Sequence, residues 1–213
     1  PFTAPSASGS FIITGEKSNF AFDYDGNQFI HNSGTIEIRT AAETRVDFAP
    51  NNGSTDINNV IINHASCVAQ MYADMSIAGN LTITAGQLTT GVGGYGFSDL
   101  TVAGEVSVTG TLTGNASAIS MRNLVIAAAG TVTASSATTT ITGEDAAGNY
   151  AIDVAADGTF HHNSGTVNIT HNNNTVIRGL DGDDVTGTGS NALNNLQITM
   201  GSSANSCHFL RIA

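Results

Sequence analysis

The feature that most constrains the fold of this chain is its similarity to itself. Residues 13 to 38 carry Ile13-Thr14-Gly15-Glu16, Asn19-Phe20-Ala21-Phe22-Asp23, Phe29 and His31-Asn32-Ser33-Gly34-Thr35-Ile36-Glu37-Ile38. Residues 141 to 169 return to Ile141-Thr142-Gly143-Glu144, Asn149-Tyr150-Ala151-Ile152-Asp153, Phe160 and His162-Asn163-Ser164-Gly165-Thr166-Val167-Asn168-Ile169. The match extends outward. Phe2-Thr3-Ala4 resembles Val132-Thr133-Ala134, Asn58-Asn59-Val60 resembles Asn194-Asn195-Leu196, and Ser66-Cys67 resembles Ser206-Cys207. Such self-similarity marks a repeat architecture in which one unit stacks on the next. Residues 1–129 form one copy and residues 130–213 an incomplete second copy of a single continuous solenoid, expected to belong to a longer array.

A finer period lies inside the large one. A tetrad of Asn or Asp, an aliphatic residue, any residue and a second aliphatic opens at Asn59, Asn80, Asp99, Asn123 and Asn195. Its first aliphatic positions are Val60, Leu81, Leu100, Leu124 and Leu196. The first three steps between them are similar in length and the last is three times the third, which reads as one rung per step and three rungs in the last. Between the tetrads lie further short alternating strands, such as Thr111-Leu112-Thr113 and Thr131-Val132-Thr133. Alternation of period two sends one set of side chains inward and the other outward. Equivalent strands repeated at such steps can then pair rung on rung, about 4.8 Å apart. Asn and Gly at strand entrances tolerate the left-handed backbone that a sharp corner needs.

The pattern predicts an all-β chain: a right-handed, single-chain parallel β-helix of about nine or ten rungs, its hand following the rule for parallel crossovers. The alternative is a tandem of β-sandwiches, which also reads as many short alternating strands. The absence of Trp and of regular two-residue hairpin turns argues against it.

Composition narrows the function. Six Lys and Arg against seventeen Asp and Glu leave a formal charge of −11. Nucleic acid and anionic membrane both require a cationic footprint, so neither is an expected partner. No apolar run approaches the 18 to 20 or so residues that span a bilayer. The chain opens at Pro1 without a signal-type segment; location is therefore argued from composition.

The Phe2-Thr3-Ala4-Pro5-Ser6 opening, the two Ile-Thr-Gly-Glu segments, the two His-Asn-Ser-Gly-Thr segments and the Asn-Leu-x-Ile strands resemble repetitive β-helix proteins of virion surfaces, especially structural proteins of marine tailed phages, and large bacterial surface adhesins. The resemblance covers nearly the whole chain. It implies a non-enzymatic structural role, as a fibre, decoration or attachment element at a virion surface or otherwise outside the cell. The alternative is an extracellular bacterial adhesin or filament subunit. Expected partners are other virion or filament subunits, including further copies of the chain, and a host-surface glycan.

A polysaccharide-degrading enzyme is a third class. Glycosidases need two carboxylates flanking the scissile bond. Asp183-Asp184 supplies a pair, but no Asn-Thr-Asp strand and no His-Gly turn accompanies it, so no catalytic residue is expected. Calcium is the one cofactor that enters consideration, through Asp23 and Asp25 in one loop and Asp181, Asp183 and Asp184 in another. Neither loop continues to the bidentate Glu of an EF-hand, and the second copy offers Ala where Asp25 stands, so any calcium would be incidental. His31 and His162 occupy matching places and read as polar residues leading into a corner. Cys67 and Cys207, about six rungs or some 30 Å apart, lie far beyond the reach of a disulfide.

Overall fold

The computed structural model describes residues 2–23, 29–48, 57–92, 96–171, 173–180, 191–201 and 205–210. Every strand pairing between coils in them is parallel and joins residues roughly one coil apart in sequence. The first of three faces stacks nine strands: Ser10–Ile13, Thr35–Ile38, the start of Asn59–Met71, the start of Leu81–Thr89, the end of Leu100–Val108, the end of Ile119–Ile126, Tyr150–Val154, Thr175–Arg178 and Cys207–Leu210. The second face holds Phe20–Asp23, Glu43–Asp47, the ends of Asn59–Met71 and Leu81–Thr89, then Thr111–Thr113, Thr131–Thr133 and Thr159–His161. On the third, Met75–Ile77 is followed by the starts of Leu100–Val108 and Ile119–Ile126, then by Thr138–Ile141, Thr166–Ile169 and Asn195–Ile198. Phe2–Thr3 pairs with Phe29–Ile30, and chain order puts this pair at the head of the third face. Over the described residues the fold is a parallel β-helix of nine coils, about 40 Å long at 4.8 Å per coil.

Alternation within each strand explains why these segments are strands. Leu81 and Ile83 are fully buried while Thr82 between them is not, and Val132 is buried between half-exposed Thr131 and Thr133. The inward positions of the first face form an aliphatic ladder of Ile36, Val60, Leu81, Val106, Leu124, Ile152 and Ile177, each at most 1% exposed. Burying one such side chain contributes about 1.5–3 kcal/mol. Phe11 and Phe209 are the end members of the same ladder. Phe11 is 36% and Phe209 48% exposed, with no described first-face strand beyond either.

Corners are closed by polar side chains that bond from coil to coil. Where the third face turns into the first, Asn59 Oδ1 accepts the Asn80 N–H at 2.9 Å and Asn80 Oδ1 accepts the Glu105 N–H at 2.9 Å. Buried Asn123 donates to the Glu105 carboxylate at 2.9 Å. Where the second face turns into the third, Asp74 Oδ1 accepts the Asp99 N–H and Asp99 Oδ1 accepts the Ala118 N–H, each at 2.8 Å. Deeper in that corner, the Thr90 hydroxyl donates to the Gly114 carbonyl at 2.7 Å, the Ser117 hydroxyl reaches Thr90, and the Ser135 hydroxyl bonds the Ser117 carbonyl. The Asn and Asp that open the tetrads are therefore rungs of two different corner ladders.

That assignment corrects the finer period. Leu81 lies on the first face of the fourth coil, and its partner in the next coil is Val106, not Leu100. Leu100 belongs to the third face, opposite Met75 and Ile119. Leu124 and Leu196 also sit on different faces, so the stretch between them is not a whole number of coils. Coil length along the first face is uneven: the step from Val106 to Leu124 is the shortest and that from Ile177 to Phe209 the longest. Corners absorb the difference, because they carry no register.

The large repeat is also out of step with the coil. Ser10–Ile13 lies on the first face of the first coil, whereas its counterpart Thr138–Ile141 lies on the third face of the sixth. Each three-faced coil contributes one strand per face, so the repeat is one strand short of six coils. The second copy is turned back by a third of a turn about the axis.

Candidate functional site

The His-Asn-Ser-Gly segments are matching corners on different edges of the rod. In both, two consecutive residues adopt left-handed backbone: Asn32 (φ 46°) and Ser33 (φ 58°), Asn163 (φ 50°) and Ser164 (φ 59°). In both, the histidine Nδ1 accepts the N–H two residues on, Ser33 at 2.9 Å and Ser164 at 2.8 Å. His64 does the same for Ser66 at 3.2 Å. Asn58 and Asn194 then cap the corners from the next coil, donating to the Ser33 and Ser164 carbonyls at 2.9 Å. These histidines hold turns, and their Nδ1 lone pairs are already occupied.

Asp23 is exposed on the outer side of Phe20–Asp23, in register with Asp47 on the next coil. Asp25, Asp181, Asp183 and Asp184 lie outside the described residues. Among the described residues no three His, Cys, Asp or Glu side chains converge in a way that could hold a metal ion. The second copy replaces the Asp23–Asp47 neighbours with Asp153 and Arg178, which meet through two hydrogen bonds of 2.6 and 2.5 Å. The same guanidinium stacks 4.1 Å above the Tyr150 ring. On the second face, Arg45 sits over the rings of both Phe20 and Tyr72, 5.7 and 5.6 Å from their centroids.

Glu37 is a buried carboxylate on the outer side of the first face. Burial alone would push its pKa up. Hydrogen bonds from Arg39 (2.6 and 2.9 Å) and Asn63 (2.7 Å), with the Arg39 charge, outweigh burial and hold the carboxyl below its ordinary value. A lowered folded pKa means stability that is complete above the unfolded pKa of about 4.3 and is lost as pH falls through the folded value. Glu37→Gln is therefore expected to flatten the pH dependence of the urea midpoint below about pH 4.5 and to leave its slope at pH 6–8 unchanged. A variant whose acid limb matched the parent protein would contradict the assignment.

Cys67 lies on the second face of the third coil and Cys207 on the first face of the ninth. Both are free thiols, six coils apart as the spacing predicts, and on different faces. Cys67 is fully buried against the Thr40 hydroxyl at 3.3 Å. Burial pushes both thiols up from their ordinary pKa. A thiolate-specific reagent at pH 7 should thus titrate two thiols fast in denaturant and Cys67 far more slowly in the native protein; rapid native labelling of Cys67 would contradict its burial.

One concave feature stands out, an open groove of about 400 Å³ along the corner between the first and second faces. Cys67, Gly86, Gln87, Gly110, Thr111 and Ala129 mark its course over four coils. It exists because small residues let adjacent coils close up: a Cβ on Gly86 would strike the His64 and Cys67 carbonyls, and one on Gly110 the Gly86 carbonyl. Its lining offers threonine hydroxyls, one amide and backbone groups, and the fully buried Cys67 thiol is not exposed to it. Such a lining suits hydrogen bonding to a neutral ligand. Among the described residues, this groove and the aromatic and ionic contacts are outward chemistry that sequence spacing alone did not reveal.

The fold defines the class: a single-chain, three-faced parallel β-helix. Against known protein families, curated proteins and solved structures, the chain finds no match in any of the three comparisons.

Proposed function

We propose that this chain is a non-enzymatic structural element of a phage virion surface, acting as part of a fibre, a decoration or an attachment device. The observation that carries the proposal is the unbroken backbone ladder of nine coils on the first face, which makes a stiff rod. Most of its outward positions are Thr, Ser, Asn and Gln, and its net charge of −11 keeps such a rod soluble outside a cell. The resemblance of its repeats to virion β-helix proteins points the same way. Neighbouring subunits are its main partners, and a neutral host-surface glycan is the small ligand that its groove suits.

Immunogold electron microscopy on the source material tests this reading. Gold on free particles, at fibres or on the capsid surface, is the expected result. Label confined to bacterial cell surfaces would overturn it in favour of an adhesin, and depolymerisation of capsule or algal glycans by the purified chain would overturn it in favour of an enzyme.

A further inference from the structure

The first coil presents an apolar edge with no strand above it among the described residues. Phe11, on the inward row, is 36% exposed, and the inward Ile13 and Phe22 beside it are half-buried. An uncovered apolar strand edge is a template for pairing with another strand. The repeat shows what fits there, because inside the molecule the equivalent edge is covered. Thr138–Ile141, counterpart of Ser10–Ile13, lies on Ile119–Ile126 with Thr139 opposite Ile119 and Ile141 opposite Met121. Tyr150–Val154, counterpart of Phe20–Asp23, lies on the same strand farther along, with Ile152 opposite Leu124. Thr131–Thr133, counterpart of Phe2–Thr3, lies on Thr111–Thr113.

A second observation comes from the matching Ile-Thr-Gly-Glu turns. In the second copy, a Cβ on Gly143 would meet the Arg122 side chain of the coil beneath, and the Gly143 N–H donates to the Arg122 carbonyl at 2.8 Å. Around Gly15 of the first copy there is open space within 4 Å. The turn is the same, and the space is the one that an Arg122 fills in the second copy.

We infer that the first coil is a docking surface whose occupant is another repeat unit of this same kind, presenting the coil equivalent to Thr111–Ile126. In the docked register Phe11 lies opposite the unit's Ile119, Ile13 opposite its Met121 and Phe22 opposite its Leu124, while its Arg122 fills the space at Gly15. Asp23 meets the unit's Val125, so no like charges oppose. Because the repeat is one strand short of six coils, each added unit is turned by a third of a turn, and equivalent surfaces return to the same side after three units. The inference is independent of the virion assignment, since a filament subunit would stack in the same way.

The register dictates the experiment. Pro1 corresponds to Thr131, so a copy of residues 100–130 joined directly to Pro1 of the full chain needs no linker. Amide hydrogen exchange is then read at Ser10–Ile13 and Phe20–Asp23. The expected result is at least tenfold slower exchange there, approaching the protection of Thr138–Ile141, with the middle coils unchanged. A second fusion carries Ile119→Asn, Met121→Asn and Leu124→Asn in the added segment only, and should give no protection. Unchanged exchange in the first fusion, including the case where the added segment stays unfolded, would overturn the inference, as would equal protection by the second.

Discussion

Ile83→Asp is expected to abolish folding, while Thr82→Asp, one residue away, leaves the protein folded. Ile83 is fully buried in the fourth coil, within the inward ladder that joins Ile62 below to Val108 above. The substitution removes a buried aliphatic, which costs about 2–5 kcal/mol, and places an unpaired carboxylate in a dry interior, which adds several kcal/mol more. Together these consume most of the 5–15 kcal/mol or so that holds a domain of this kind. Thr82 points outward between Ile61 and Ser107, where a surface change typically moves stability by about 0.5 kcal/mol. Far-UV circular dichroism and urea unfolding of the pair check this. Equal effects at the two positions would mean that the strand does not alternate as described.

Gly165→Ala is the second large effect, at about 3 kcal/mol of destabilisation, toward the upper end of what overpacking costs. Its backbone does not require glycine through a left-handed φ; space requires it. A Cβ there would lie inside van der Waals contact of the Ser135 carbonyl oxygen on the preceding coil, and the same Cβ on Gly34 would meet the Pro5 carbonyl. Ser135 and Pro5 are themselves repeat counterparts, so the chain uses one close approach twice. Because the next residue, Thr166, donates its N–H to Ala137 at 2.9 Å, relieving the clash would pull on the ladder itself. Gly15→Ala is the matched control: nothing lies within 4 Å of its Cβ, and a change of no more than about 0.5 kcal/mol is expected. Urea midpoints of Gly165→Ala, Gly34→Ala and Gly15→Ala should fall in the order large, large, negligible. A Gly165→Ala protein as stable as the parent would contradict the close packing of coils at this corner.

Much of this architecture was legible in the residues. The alternation of Leu81-Thr82-Ile83 or Thr131-Val132-Thr133, and the return of the same strand type, suffice for parallel coils and for their number. What spacing could not convey is which face a strand occupies. The tetrads at Asn80 and Asp99 look alike, yet one opens the first face and the other the third, because Asn and Asp cap any corner where a side-chain oxygen can accept the next coil's N–H. Corner length is set by loops that carry no register, so residue counts drift while strand counts do not. For the same reason the matching histidines His31 and His162 were recognisable as corner residues, but their placement on different edges of the rod was not.

The outward chemistry was less legible. Arg178 could be paired with Asp153 only once their separation in sequence became adjacency across one coil step. The groove depends on glycines whose neighbours are one coil away. Neither contact is local in sequence, so no short motif announces it.

The most direct test of stacked parallel coils is a set of spin-label distances along one face. Ile12, Ser107, Val125 and Leu210 lie on a single outward row of the first face, in the first, fifth, sixth and ninth coils. With one label at position 12, coils rising about 4.8 Å each place labels at 107, 125 and 210 about 19, 24 and 38 Å away. Distances that grow in that proportion to coil number are the predicted result. A label at 210 no farther from position 12 than the label at 107 would contradict the solenoid.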